Sequence, residues 1–239
     1  MSYNESEGIM SLLFPTPVLT FTLNNHIKNK EKHLSTLINY YQFNKEKKAR
    51  WSRLDNTCTW FEHGISFFDD QLRERIEYYI SYLLQKEFKS RYRFQPWFNL
   101  HTSNSYMREH EHNGSIISGI YYFQFNKKTD NPVSFVNPLK DGLESWIAMN
   151  NWEIEPNNKF LVGDTSSRID LHIKEGSVVL FPSYLKHFVA EGIETTDDLR
   201  ITYTFNVILD NLTKRIVEQE QTYGYINMNY SENEPMINS

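Results

Sequence analysis

The residues of this chain best suited to chemistry are His110-Glu111-His112, then His187 after a long gap, then Arg200. Imidazole nitrogens bind divalent first-row metals well, and three protein ligands on one face leave coordination positions open for small molecules. If the H-x-H pair lies on a strand, both rings point to the same side of the sheet, because strand side chains alternate. His187, from a distant strand, can then close a three-point site. Arg200 opens a strand-like run, Arg200-Ile201-Thr202-Tyr203-Thr204-Phe205-Asn206. Its planar pair of donors suits a carboxylate. Thr202 falls on the same face and can donate a second bond, and Asn206 is a further polar wall residue there. Tyr122 can add a phenol donor. Asn99 and Tyr106 can approach from neighbouring strands or simply pack in the core.

Each of these readings has a plainer competitor. Eight histidines make one H-x-H pair unsurprising, and histidines commonly sit at surfaces or in hydrogen-bonded cores. Glu109 and Glu111 flank His110; alternation sends them to the opposite face unless a bulge re-aims one as a ligand. Zinc also accepts three histidines, so hydrolytic zinc chemistry competes with iron chemistry. His172 has no companion at ligand spacing. Arg200 has an ordinary alternative as a surface ion pair with Asp197 or Asp198.

The elements that must position these groups follow from the pattern. Leu12 to Phe21 reads as extended, because Pro15 and Pro17 push the residues before them away from helix. Asn24-Asn25 offers a cap for a helix over 26–43. A second helix is expected over 69–89, capped by Asp69 or Asp70, with Leu72, Ile76, Tyr79, Ile80, Leu83 and Leu84 at helical spacing. From Phe94 onward short strands take over: Trp97–Thr102, Ser105–Glu111, Ile116–Phe125, Val133–Val136, Ile169–His172, Ser177–Phe181, Lys186–Val189 and Arg200–Leu209. The fold class is therefore mainly β with supporting α-helices, a double-stranded β-helix (jelly roll, cupin-like). The chain reads as a single domain over 1–239: an N-terminal strand and helices over 1–93, the β core over 94–210 and an extension over 211–239. The segment 138–168, with Trp146 and Trp152, is long for a connection and is a candidate lid, although both tryptophans can equally anchor it to the core.

Composition narrows the function. A 39% hydrophobic and 23% charged chain of 239 residues fits a globular protein with an ample core. A net charge of −5 argues against broad nucleic-acid binding, leaving the Lys45-Glu46-Lys47-Lys48-Ala49-Arg50 cluster as a solvated helix face or loop. The single cysteine, Cys58, excludes an intrachain disulfide and fits a reducing cytoplasm. No apolar run reaches the length of a membrane span, and the acidic start is no signal peptide. Self-association as a homodimer suits this size, but no helix displays a decisive dimer seam.

The motifs together resemble the Fe(II)/2-oxoglutarate-dependent oxygenases, and in particular a family of phages and marine bacteria within the prolyl-hydroxylase-like superfamily. The resemblance runs from Leu13-Phe14-Pro15-Thr16-Pro17-Val18 through Trp97-Phe98-Asn99, His110-Glu111-His112 and Ser118-Gly119-Ile120-Tyr121-Tyr122. It ends with Phe181-Pro182-Ser183-Tyr184-Leu185-Lys186-His187 and Arg200-Ile201-Thr202-Tyr203-Thr204-Phe205-Asn206. It implies a double-stranded β-helix that binds Fe(II) and 2-oxoglutarate and uses O2 to hydroxylate a primary substrate, a protein side chain such as proline or a small metabolite, releasing succinate and CO2. It places the metal on His110, His112 and His187, with His112 where the superfamily has an acid. Arg200 takes the distal carboxylate, with Thr202 and Tyr122 beside it. A phage-encoded member would work in the host cytoplasm. The alternative on the same scaffold is a non-catalytic, cupin-like metal-binding or structural module.

Overall fold

A computed structural model describes residues 9–13, 16–44, 52–53, 57–59, 65–88, 91–102, 105–138, 168–193 and 198–209. The basic cluster at 45–50, nearly all of the segment 138–168 with its two tryptophans, and the extension over 211–239 lie outside them. Two antiparallel sheets face each other. The larger runs β1(Ile9–Leu13), β2(Thr16–Thr22), β10(Ser177–Pro182), β7(Ile117–Gln124), β12(Arg200–Leu209), β5(Tyr92–His101), β4(Thr57–Thr59). The smaller runs β3(Ser52–Arg53), β6(Tyr106–His110), β11(His187–Val189), β8(Ser134–Val136), β9(Arg168–Asp170). From β5 to β12 the chain passes back and forth between the sheets, which is the jelly-roll winding expected of a double-stranded β-helix.

Alternation gives the large sheet two different faces. On β12, Ile201, Tyr203, Phe205 and Val207 join one core, packed against Leu72, Ile76, Tyr79 and Ile80 of α2(Asp70–Leu84) and Leu37 of α1(His26–Asn44). The other face looks into the space between the sheets. There Ile120, Tyr122, Val179 and Phe181 meet Val133 and Phe135 of the smaller sheet's side. Arg200, Thr202, Thr204 and Asn206 share this inner face by alternation, beside Trp97, Asn99 and His101 of β5.

Helix α2 begins where its cap stands: the Asp69 side chain accepts the Leu72 N–H at 2.9 Å. It ends at Leu84 rather than 89, because Gln85 adopts the left-handed conformation at φ 52. Strand β5 starts at Tyr92, earlier than Trp97, and carries Pro96 within it. Its β12 neighbour pairs along all of β5, whereas β4 pairs only with Phe98, Asn99 and Leu100. Pro96 therefore interrupts no ladder on the β4 side among the described residues. No helix among the described residues is long and apolar enough to cross a membrane.

Candidate metal centre

His110 ends β6, His187 opens β11, and the two are directly opposed across that antiparallel pair. The register thus converts residues remote in sequence into neighbours, with ring centroids 4.3 Å apart. His112 lies just past the end of β6. Its backbone N–H donates to the Ser183 carbonyl at 2.9 Å, which ties it to the turn after β10. Its ring sits 5.1 Å from each of the other two. One nitrogen from each histidine lies within 4.8 Å of the others, so the three could hold a metal ion.

Hydrogen bonds decide which nitrogen that is. His110 Nδ1 faces the Arg108 carbonyl at 2.7 Å, and His187 Nδ1 faces the Leu185 carbonyl at 2.8 Å. His112 Nδ1 faces Asn206 Oδ1 at 2.6 Å. A carbonyl oxygen only accepts, so each Nδ1 carries the proton and each Nε2 keeps its lone pair for a metal. Burial favours the neutral, ligating form of all three rings. It lowers the pKa of His110 against the opposing Arg108 hydrogen bond, and takes His112 down to about 4. It drives His187 well below the usual histidine value, with the charges of His110 and His112 acting in the same direction. Glu109 and Glu111 are exposed, and Glu109 lies 3.7 Å from Lys186 Nζ, so neither acid joins the cluster. His172 lies apart from it, among the residues lining a surface cavity with Lys127 and Asp170.

Arg200 opens β12 on the inner face, opposite His101 of β5. It is 6% exposed, which removes the surface ion pair from consideration. Its Nη1 donates to the Asn131 carbonyl at 2.8 Å, and its Nε is buried without a partner. Burial lowers its pKa, while nearby Tyr122 and Asp130 favour the charged form. Two further buried atoms beside it have no partner, His101 Nδ1 and Asn99 Oδ1. Asn99 donates to Thr204 Oγ1 at 2.9 Å, so its carbonyl end is left over. Thr202 stands between Asn99 and Tyr122 in the sheet register. The Tyr122 hydroxyl accepts the Val133 N–H at 3.0 Å, which leaves its own proton available to donate. Burial raises that phenol to about 12, so it is protonated. A buried guanidinium with an unmet donor fits a carboxylate ligand, just as three Nε2 lone pairs fit a divalent cation. Tyr106, on β6, is not part of this group, and Cys58 lies on β4, paired with Asn99.

The jelly roll thus sets a three-histidine metal cradle, carried by the smaller sheet, and a buried cation on the larger sheet into the space between the two. Residues 95–206 match the family model described as "Putative 2OG-Fe(II) oxygenase". That segment holds all three histidines and Arg200. No curated protein sequence matches the chain. Among solved structures, the chain is similar to a prolyl-4-hydroxylase of Pseudomonas putida, at 13% identity and TM-score 0.47, over 80% of this chain and 91% of that one. HygX of Streptomyces hygroscopicus, solved with nickel and 2-oxoglutarate bound, matches at 11% identity and TM-score 0.46, over 80% and 82%. A Trichoplax adhaerens prolyl hydroxylase, in complex with a hypoxia inducible factor peptide fragment, matches at 11% identity and TM-score 0.47, over 82% and 86%.

Proposed function

We propose that His110, His112 and His187 hold Fe(II) through Nε2, and that Arg200, assisted by Thr202 and Tyr122, takes the distal carboxylate of 2-oxoglutarate. The observation that carries this reading is the pairing of three lone pairs, fixed by Nδ1–H bonds, with a buried guanidinium whose Nε has no hydrogen-bond partner. When bound, iron and 2-oxoglutarate supply the oxidising chemistry: the keto acid is decarboxylated to succinate and CO2 as O2 is consumed and one oxygen atom goes to the primary substrate. The chain's own part is placement. Arg200 and Thr202 set the depth and direction of the keto acid from one strand, while the histidines fix the metal. Phe181 and Phe135 pack against the His187 ring at 4.8 and 6.3 Å between centroids, and this apolar wall excludes water from one side.

The primary substrate is a protein side chain such as proline, or a small metabolite. Trp97 supports this reading: it is half-buried, with its ring 5.6 Å from that of His112, and offers a flat wall beside the metal position. The test is an anaerobic titration of metal-free protein with Fe(II) and then 2-oxoglutarate, following the weak visible charge-transfer band of a chelated keto acid. The band is expected in the parent and weakened in His112→Ala and Arg200→Ala. Iron binding without a band sinks the 2-oxoglutarate assignment and leaves the metal-binding module. Retention of zinc with indifference to the keto acid points to the hydrolase.

A further inference from the structure

The structure surrounds His112 with a hydrogen-bond network that metal chemistry alone does not require. Asn206 Oδ1 accepts twice, from His112 Nδ1 at 2.6 Å and from the Ser118 hydroxyl at 2.8 Å. The Ser118 hydroxyl lies 2.9 Å from that of Ser183, which accepts from Ser115 at 2.8 Å. Proton counting orients the chain: Ser118 spends its proton on Asn206, so Ser183 donates to Ser118. The backbone of His112 is held by the same serines. Its N–H donates to the Ser183 carbonyl at 2.9 Å, and its carbonyl lies 3.1 Å from the Ser115 hydroxyl, competing with Ser183 Oγ for that one proton. Ser118 and Asn206 are opposed on β7 and β12, so the network is built into the sheet register.

We propose that Asn206 is the positioning residue that makes His112 a metal ligand, and that it marks the place where the negative charge missing from a three-histidine site can be restored. The proposal rests on the metal reading given above. A ring nitrogen bonded to a carbonyl oxygen is held in one tautomer and one orientation, and an anionic acceptor there raises the basicity of the ligating nitrogen. Asn206 supplies orientation through a neutral amide. Aspartate in its place only accepts, so it keeps the tautomer and adds a charge one ring away from the metal.

The test is Co(II) affinity of metal-free full-length protein, by competition with a chromophoric chelator, with the visible d–d band recorded. The variants are Asn206→Leu, Asn206→Asp, Ser118→Ala and, as the reference for the metal reading, His187→Ala. Asn206→Leu is expected to weaken Co(II) by about 10- to 100-fold and change the band, and Ser118→Ala to weaken it less. Asn206→Asp is expected to bind at least as tightly as the parent, with the parent's band shape. If Asn206→Leu fails to fold by circular dichroism, Asn206→Asp and Ser118→Ala still decide. A folded Asn206→Leu within twofold of the parent overturns the proposal, as does an Asn206→Asp that binds worse than the parent. If His187→Ala binds Co(II) like the parent, the metal reading itself fails. If His187→Ala loses the metal while Asn206→Leu keeps it, only the role of Asn206 fails.

Discussion

Arg200 is a cation placed where a cation is expensive. A charged group removed from water costs several kcal/mol unless it is paired, and this one donates to one carbonyl and leaves its Nε unpartnered, with Asp130 and Tyr122 nearby to favour its charge. Such a group is explained by a ligand that completes it, and the cost should be measurable without the ligand. Arg200→Met paired with Asp130→Asn, so that neither charge is left alone, is expected to stabilise the protein in the absence of 2-oxoglutarate, by roughly 1–4 kcal/mol in urea unfolding, and to remove the stabilisation that 2-oxoglutarate gives the metal-loaded parent. A variant less stable than the parent in both conditions would mark Arg200 as a structural anchor. The three histidines were legible in sequence because H-x-H is local and Arg200 begins an alternating run. The contact that orients His112 was not, since its partner Asn206 is 94 residues away and only the pairing of β12 with β7 brings it there. His101 escaped for the same reason: nothing in its neighbourhood in sequence shows that it opposes Arg200.

Elements were readable where alternation is strong and obscure where a strand is short or interrupted. β12 was expected with its observed bounds, and β7 and β10 nearly so, because large apolar residues at every second position declare a sheet with one helix-covered face. β3 and β4 span two and three residues, too few to carry a period. β5 was expected to begin only after Pro96, where its ladder with β12 in fact continues back to Tyr92. The β7–β12 pairing, which carries Ser118 and Asn206, depends on a local fit: Gly119 is opposed to Phe205, and a Cβ at Gly119 would overlap the Phe205 ring. Gly119→Ala should therefore cost about 1–3 kcal/mol or more, as overpacking does. In a double-mutant cycle by urea denaturation, Phe205→Leu should absorb part of that cost, giving a coupling of at least about 0.5 kcal/mol. Strict additivity would show that the ring and the glycine do not constrain each other.

At the scale of the whole molecule, a jelly roll that buries several histidines as neutral rings has a predictable response to acid. The His112 ring has a pKa of about 4 in the fold against 6.5 in an unfolded chain, with burial as the main cause. Above 6.5 neither form takes up a proton and this residue contributes no pH dependence. Between 6.5 and 4 the unfolded chain binds a proton that the folded one refuses, so stability falls with falling pH. For His112 alone the loss approaches about 3 kcal/mol by pH 4. His110, His187 and His101 are displaced in the same direction, and each steepens the fall. Glu175, held below the usual carboxylate value by Lys30 and the Phe125 N–H despite its burial, begins to act only below its ordinary value of 4.5. In the window from 6.5 to 4.5 the histidines lower stability as pH falls, while Asp130, whose carboxyl burial raises above its ordinary value, opposes them in part. Urea unfolding of metal-free protein at intervals across that window should show stability dropping steadily, with a shallower slope in His112→Asn. Saturating Co(II) should raise stability across the window and steepen the slope only toward its acid end, where the metal keeps the folded rings from taking up the proton they would otherwise bind. A flat profile without metal would mean that the rings are hydrated and protonated in the fold, and the burial that prepares them as ligands would have to be given up.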